Sequence, residues 1–195
     1  MRIKKVFIDF LKNFVKFRPK KVKNYCSRTN FFNKTETQII EQNYIIKKIK
    51  KYKKKKILDY GWNDCFLSKL LGPHYTYYGI DNNKELLNKK MKIYSKNFFF
   101  SKNDLIPFKK NYFDCVVLSH VMPHIYNPDK LIKIIKKILK KDGILIVVSP
   151  NKFFKFLYFF LNLFNKYVPD ETISKNYSLN DTKCLFDNNW DPLEC

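Results

Sequence analysis

One short segment decides the fold of this chain. Residues 57–67 read Ile57-Leu58-Asp59-Tyr60-Gly61-Trp62-Asn63-Asp64-Cys65-Phe66-Leu67. An apolar run ends in a single glycine and a helical pattern follows, which predicts a strand, a tight turn and a helix. Such a turn lets the backbone approach a bound group closely. The free N–H groups of the helix N-terminus then favour a negatively charged part of the ligand.

The same alternation continues from this segment to residue 149. Apolar runs predict strands over 56–60, 75–80, 96–100, 113–119 and 143–149. Helical spacing predicts helices over 64–71, 83–92 and 128–140, and an earlier one through Ile39, Ile45 and Ile49. Short linkers between strands and helices indicate an α/β fold: a doubly wound, mostly parallel sheet with helices on both faces. Ligands bind such sheets at the carboxyl ends of the strands.

An acidic residue ends the second strand of this series. Asp81 follows Gly79 and Ile80, about twenty residues after the glycine turn. A carboxylate at this position binds both hydroxyls of a cofactor ribose. The alternative is that Asp81 caps the helix predicted to begin near Asn83.

Two later segments are the most specific in the chain. The first comprises Asn103-Asp104-Leu105-Ile106-Pro107-Phe108 and then Tyr112-Phe113-Asp114-Cys115-Val116-Val117-Leu118-Ser119-His120. The second reads Leu139-Lys140-Lys141-Asp142-Gly143-Ile144-Leu145-Ile146-Val147-Val148-Ser149-Pro150-Asn151. With the glycine turn, they resemble class I S-adenosylmethionine (SAM)-dependent methyltransferases, in particular methyltransferase type 11 proteins and relatives of the ubiquinone O-methyltransferase. The resemblance covers residues 55–151 and extends more weakly to Trp190.

The resemblance implies a Rossmann-like fold, SAM as the cofactor and methyltransferase activity. It also implies a set of cofactor contacts: Asp59, Gly61, Asn63, Asp81, Asn103, Asp104, Leu105 and Ser119. In this set Asp104 is the choice for the adenine amino group, and Asn103 is the alternative because the register can shift by one residue.

The chain departs from the family at two places. The family loop reads Gly-Cys-Gly-x-Gly or Gly-Cys-Asn-Asp-Gly, so Asn63 and Asp64 fit the second form but Trp62 and Cys65 do not. A side chain at Cys65 is expected either to clash with SAM or to oppose a positive φ, with a strain of about 1–3 kcal/mol, and so to weaken SAM binding. A non-catalytic methyltransferase-like protein is therefore an alternative. The family's C-terminal antiparallel strand pair is predicted to be incomplete, as in a truncated member or a fragment.

Two histidines follow the fourth strand of the series, over the expected position of the reactive methyl group. His120 and His124 are candidate catalytic bases, which an acceptor hydroxyl of high pKa needs. Helix capping or packing is the alternative for both. The Phe-rich stretch over 153–164 is predicted to be either a core helix or a lid for a small-molecule or lipid-like acceptor, such as a quinone precursor.

Composition narrows the classes of partner. The net charge of +22, from 39 Lys and Arg against 17 Asp and Glu, suits nucleic acid or an acidic membrane. The chain has no alanine and is rich in residues with A/T-rich codons, so codon bias is favoured and nucleic acid is the weaker alternative. The five cysteines form no CxxC pair and no histidine lies at zinc-ligand spacing. This predicts no metal and a cytoplasmic location.

The N-terminal region is predicted to be an extension of the domain. Residues 1–35 form a basic amphipathic segment, and the methyltransferase domain spans 36–195. Apolar residues from Ile3 to Val15 have helical spacing, which predicts a helix over 3–17. This helix either covers the domain or makes a peripheral membrane contact through residues 1–19.

Overall fold

The computed structural model describes residues 3–7, 36–62, 65–84, 97–101, 106–149 and 190–194. Seven strands and three α-helices lie in these ranges. The strands are β1 (Ile3–Phe7), β2 (Lys56–Tyr60), β3 (Thr76–Asp81), β4 (Phe98–Phe100), β5 (Phe113–Ser119), β6 (Leu139–Val148) and β7 (Trp190–Glu194). The helices are α1 (Glu36–Lys51), α2 (Phe66–Leu71) and α3 (Pro128–Ile138), and a 3-10 turn spans Met122–His124.

The strands form one sheet in the order β4-β3-β2-β5-β6-β1-β7. Every pairing among these described strands is parallel. From β2 the chain moves outward to β3 and β4, and it then returns to β5 on the other side of β2. The sheet therefore has its switch point between β2 and β5, where open α/β sheets bind their ligands.

Both faces of the sheet are covered by helices, as predicted. On β5, Cys115 and Val117 pack with α1 and α2, whereas Val116 and Leu118 pack with α3 on the opposite face. Successive strand residues point to opposite faces, so a strand buried on both sides reads as a continuous apolar run. The doubly wound α/β fold is thus confirmed.

The start of α3 shows how the sequence sets a helix boundary. The Asn127 side chain accepts a hydrogen bond from the Lys130 N–H at 3.0 Å, and Pro128 occupies the first turn. Both are favourable at a helix N-terminus, where the first N–H groups have no partner within the helix. The apolar stripe of this helix then packs on the sheet through Leu131, Ile132, Ile135 and Ile138.

Most predicted boundaries agree with the structure to within two residues, but β6 begins earlier than predicted. Leu139 leaves α3 in an extended conformation and pairs with Phe113, and the next aligned pair is Cys115 with Ile144. The residues between these two pairs, which include Lys141, Asp142 and Gly143, therefore form an irregularity within β6. The helix predicted over 83–92 lies outside the described residues beyond Lys84.

The N-terminal prediction was wrong where the structure describes it. Residues 3–7 form strand β1, which pairs with β6 and with β7, instead of the start of a helix. Backbone pairing with the otherwise unpaired edge of β6 overrides the helical spacing of the side chains, since an apolar edge strand needs a partner. Residues 8–17 of the predicted helix lie outside the described ranges.

The C-terminal strand also differs from the family pattern. β7 pairs with β1 in parallel, and no antiparallel strand occurs among the described residues. Pro192 is compatible with this place because β7 is the edge strand, where a missing N–H costs no ladder hydrogen bond.

The lysine cluster at 53–56 is partly attached to the amino edge of the sheet. Asp114 accepts hydrogen bonds from the backbone N–H groups of Lys56 and Lys55 and pairs with Lys140 at 2.6 Å. Burial raises the pKa of Asp114, but these contacts lower it by more, so the pKa lies below its ordinary value. The Lys56 ammonium lies 4.1 Å from the centre of the Tyr112 ring.

Candidate active site

The carboxyl ends of β2, β3 and β5 bring the predicted site residues to one edge of the sheet. Gly61 follows β2, Asp81 ends β3, and Ser119 and His120 end β5. The Gly61 N–H donates to the Ile80 carbonyl at 2.7 Å, one residue before Asp81. The glycine turn and the acidic side chain are therefore fixed beside each other at the switch point.

Gly61 meets two requirements that only glycine meets at low cost. Its φ is +81°, and a Cβ built on it would lie 2.5 Å from Cγ2 of Val121. The first places the residue in the left-handed region, and the second shows that the loop after β5 approaches the turn closely. The turn leaves backbone exposed where a cofactor would lie, so its shape fits SAM.

Asp81 supports the turn after β3. Its Oδ1 accepts a hydrogen bond from the Asn83 N–H at 2.9 Å, as the capping alternative predicts. Its carbonyl accepts from the Ser101 N–H at 2.8 Å, which connects β3 to the end of β4. The carboxylate remains partly exposed at the sheet edge. Local support of a turn and ribose binding are compatible uses of this side chain.

Asp59 is buried one strand position away from the loop. Its Oδ2 accepts a hydrogen bond from the Tyr77 hydroxyl at 2.6 Å, which connects β2 to β3 on the face covered by α1 and α2. Buried carboxylates need such partners because desolvation of the charge is costly. The hydrogen bond between Tyr77 and Asp59 holds together the two strands that carry the loop. A direct contact of Asp59 with the cofactor stays a prediction.

Four of the predicted contacts cannot be placed in this geometry. Residues 63–64 and 102–105 lie outside the described ranges, and they include Asn63, Asn103, Asp104 and Leu105. Ser119 is described: it ends β5, is half-buried and pairs with Val148. The four contacts stay predictions.

Trp62 does not project over the cofactor edge. Its side chain is 2% exposed and packs in the cluster shared with α1 and α2, edge-on to Phe98 with ring centroids 4.9 Å apart. A Cβ on Gly79 would lie 2.8 Å from the Trp62 ring and 2.6 Å from Phe98, so that glycine provides the space for both rings. The departure at Trp62 is accommodated in the core.

Cys65 carries the backbone strain that the sequence predicted. It adopts φ +61° and ψ +22° at the N-cap of α2, where the family has glycine. The residue is fully buried, and its side chain makes no capping hydrogen bond. A left-handed conformation costs a residue with a Cβ about 1–2 kcal/mol.

Because of this strain, we predict that at position 65 a glycine variant is more stable than an alanine variant, the reverse of the usual order in helices. We expect Cys65→Gly to be more stable than Cys65→Ala by about 1 kcal/mol, because only alanine retains the steric cost of the positive φ. At Ser68, inside α2, we expect the ordinary ranking with alanine ahead by about 1 kcal/mol. Urea unfolding of the four variants measures both differences. Alanine ahead at both positions would show that Cys65 is not strained.

His120 is connected to α1 through a buried carboxylate. Its Nε2 lies 2.8 Å from Oε2 of Glu41, whose side chain is 5% exposed, while the imidazole itself is 43% exposed. Removal from water lowers the pKa of His120, but the hydrogen bond and the charge of Glu41 raise it by more. The pKa therefore lies above its ordinary value. His124 is exposed in the 3-10 turn, and its catalytic role stays a prediction.

Glu41 is the site residue that the sequence interpretation missed. It lies four and eight residues before Ile45 and Ile49, so it falls on the apolar stripe of α1. An acidic residue on a buried helix face requires a polar partner. The place of Glu41 on the apolar stripe of α1 therefore indicates, from the sequence alone, a buried charge with a partner. The sequence does not identify that partner, since His120 lies 79 residues further along the chain.

The described residues contain no group of three or more His, Cys, Asp and Glu side chains placed to bind a metal ion. The residues that are placed fit SAM: a glycine turn without a Cβ, a carboxylate at the neighbouring strand end, and a Trp62 side chain directed into the core.

Comparisons with known proteins agree with this geometry. Comparison with curated proteins gives no match. The YcgJ protein from Bacillus subtilis has a similar structure, with 20% identity, a TM-score of 0.61 and coverage of 77% of this chain and 68% of that chain. A SAM-dependent methyltransferase from Archaeoglobus fulgidus is 17% identical, with a TM-score of 0.56 and coverage of 77% and 72%. One from Aquifex aeolicus is 22% identical, with a TM-score of 0.51 and coverage of 71% and 74%.

At these identities the structural similarity establishes the fold. A family model described as a methyltransferase domain matches residues 51–190. The finer assignment to relatives of the ubiquinone O-methyltransferase stays a prediction. The chain belongs to the methyltransferase-domain family, which confirms the expected class I methyltransferase enzyme and SAM as its cofactor.

Proposed function

We propose that this methyltransferase transfers the methyl group of SAM to a small-molecule or lipid-like acceptor. One observation carries the proposal: the Gly61–Ile80 hydrogen bond fixes the glycine turn beside the Asp81 carboxylate at the switch point of the sheet. When bound, SAM supplies an electrophilic methyl group on a positively charged sulfur. The chain contributes mainly alignment, which lowers the barrier of a displacement without acid–base help.

The residues around this edge have distinct roles in the proposal. Asp81 binds the ribose hydroxyls, and the backbone at Gly61 borders the amino acid part of the cofactor. Asn63 and Ser119 complete this side of the site, and Asp104 binds the adenine amino group with Asn103 and Leu105 beside it. The stretch over 153–164 lies outside the described residues, and its apolar composition would suit a lipid-like acceptor if it serves as the predicted lid.

The location of the protein is part of the same proposal. No helix within the described ranges has the length and apolarity needed to cross a bilayer. We propose a cytoplasmic enzyme with a peripheral membrane contact through the predicted N-terminal segment 1–19. Residues 3–7 of that segment form β1 between β6 and β7, so the contact would be made by the residues outside this strand, and the domain includes β1 as well as residues 36–195. Nucleic acid is the weaker alternative, because the sequence resembles small-molecule methyltransferases.

Asp81→Asn tests the cofactor site with little change to the fold. An asparagine at position 81 can still accept the hydrogen bond from the Asn83 N–H, so the turn after β3 is kept. It loses the charge and one acceptor for the ribose. Since a hydrogen bond to a charged group contributes about 1.5–3 kcal/mol, we expect SAM affinity to fall about 10- to 100-fold. Isothermal titration calorimetry measures the loss.

Asp142→Asn is the matched control. It makes the same change of charge at an exposed position in β6, at the opposite edge of the sheet, and we expect unchanged SAM affinity. Equal SAM affinity in wild type and Asp81→Asn would remove Asp81 from the site. A folded wild-type chain that does not bind SAM would contradict the proposed function itself.

A further inference from the structure

The packing of α1 against the sheet does not require a carboxylate at position 41. Glu41 lies on the stripe of α1 that packs against the sheet, and it is 4% exposed. Neighbouring positions of that stripe hold isoleucines, which bury without cost. An ionised carboxylate at such a depth costs several kcal/mol unless a partner compensates for the lost water. The compensating partner is Nε2 of His120 at 2.8 Å.

The contact with Glu41 fixes the chemistry of the imidazole. A carboxylate only accepts hydrogen bonds, so the nitrogen that faces it carries the proton. In the neutral imidazole Nδ1 then bears the lone pair, which is the state required of a base. The imidazole is 43% exposed and directly follows β5, at the carboxyl edge of the sheet where a molecule bound at the switch point would lie.

The backbone around His120 fixes the position of the ring. Its φ is +58°, which is a strained value for a residue with a side chain. The conformation is kept by the hydrogen bond from the His120 N–H to the Val148 carbonyl at 2.7 Å. Strain of this kind occurs preferentially where function requires one orientation of a side chain.

Two buried polar atoms beside this pair lack partners among the described residues. Oε1 of Gln42 follows Glu41 in α1, and Oγ of Ser149 follows Val148 at the end of β6. Each is one residue from a group bonded to His120. Buried polar groups are nearly always hydrogen-bonded, so these two atoms are expected to have partners on a ligand or in the residues outside the described ranges.

Resting on the proposed function, we infer that Glu41 is a positioning residue that holds His120 as the base for a hydroxyl acceptor. The acceptor is then an alcohol or phenol that is not ionised at neutral pH. The hydroxyl proton moves to Nδ1 of His120, and the oxygen keeps the electron pair with which it bonds to the methyl carbon. The carbon–sulfur bond breaks and its electron pair stays on sulfur, which becomes a neutral thioether. The exposed imidazolium returns its proton to water, and Glu41 stays ionised.

The inference has a readout that does not depend on catalysis. Among the described residues, the charged group in contact with the His120 ring is Glu41 of α1, and His124 in the next turn is the neighbouring titratable group along the chain. Glu41 is thus the charged group that raises the pKa of His120. In an NMR titration of the full chain, with signals assigned by His120→Ala, we expect Glu41→Gln to lower the pKa of His120. An unchanged pKa would overturn the positioning role.

A pair of phenols tests the role of His120 as a base. At mildly alkaline pH 4-nitrophenol is largely ionised, whereas 4-methylphenol keeps its proton. We expect His120→Ala to reduce methyl transfer to 4-methylphenol about 100-fold or more, and transfer to 4-nitrophenol only a few-fold. Glu41→Gln is expected to reduce 4-methylphenol methylation less, and to move the rising limb of its pH profile to lower pH, following the pKa of the imidazole.

The controls separate this inference from the proposed function. His74→Ala, at an exposed position before β3, should leave both reactions unchanged. Equal losses on both phenols in His120→Ala would show a structural role and overturn the base. Methylation of neither phenol by a wild-type chain that binds SAM would overturn the hydroxyl acceptor and leave the proposed function intact. Failure of the wild type to bind SAM in calorimetry would instead reject the proposed function.

Discussion

Replacing Trp62 with alanine should lower the free energy of unfolding by about 3–5 kcal/mol, the largest effect we expect from a single substitution in this chain. The indole is 2% exposed and packs against Phe98 beneath the loop, so its removal leaves a cavity that the rigid sheet cannot close. Domains of this size are stable by about 5–15 kcal/mol, so the variant should approach the limit of folding. Urea unfolding followed by circular dichroism measures the change.

Tyr126 provides the control for the loss of an aromatic ring. Its side chain is 96% exposed, and Tyr126→Ala should change stability by less than about 0.5 kcal/mol. A double-mutant cycle of Trp62→Ala and Gly79→Ala is a second test of the packing of Trp62, since a Cβ on Gly79 contacts Trp62 and Phe98. We expect Gly79→Ala to be less destabilising when Trp62 is absent, by about 0.5 kcal/mol or more. A Trp62→Ala variant as stable as wild type would place the indole outside the core.

Replacing Gly61 with alanine should destabilise the chain by about 2–4 kcal/mol and weaken SAM binding. The positive φ costs about 1–2 kcal/mol. The clash of the new Cβ with Val121 at 2.5 Å adds about 1–2 kcal/mol, because the loop after β5 is packed and must shift. The shift also displaces the turn that borders the cofactor. Urea unfolding and SAM calorimetry measure the two effects.

Rescue by Val121→Ala separates the clash from the strain. Removing Cγ2 of Val121 should recover part of the stability lost in Gly61→Ala, because the added Cβ then has space. Gly72→Ala is the comparison: it has a positive φ and nothing within 4 Å of the new Cβ. It should be destabilising without rescue by Val121→Ala and without loss of SAM affinity. Absence of rescue at Gly61 would show that the approach of Val121 is not limiting.

The sequence predicted the parallel core of the fold well, because the relevant signals are local. β2 and β5 lie over the predicted ranges, since apolar runs buried on both faces of a sheet end where polar residues begin. The residue types at positions 61 and 65 are also local signals, because glycine adopts a positive φ easily and cysteine does not. The loop motif alone marked position 65 as one where a positive φ would strain a residue with a side chain.

Predictions failed where a backbone found its partner through the tertiary fold. Residues 3–7 have helical spacing, but they form a strand because the free edge of β6 supplies hydrogen bonds that the spacing does not encode. The direction of the Trp62 side chain was decided in the same way. The family motif marked it as a departure, and only packing on Phe98 and above Gly79 shows that the core absorbs it.

By itself, the sequence determined a doubly wound methyltransferase sheet and placed the candidate site residues at the carboxyl ends of β2, β3 and β5. Periodicity fixes which face of each element is buried, and parallel strands bring their carboxyl ends to one edge. Only the tertiary structure decided that Glu41 of α1 meets His120 after β5, across 79 residues of chain. Periodicity states that a position is buried but not against what, so the partner of a buried charge is settled only when helix and sheet pack together.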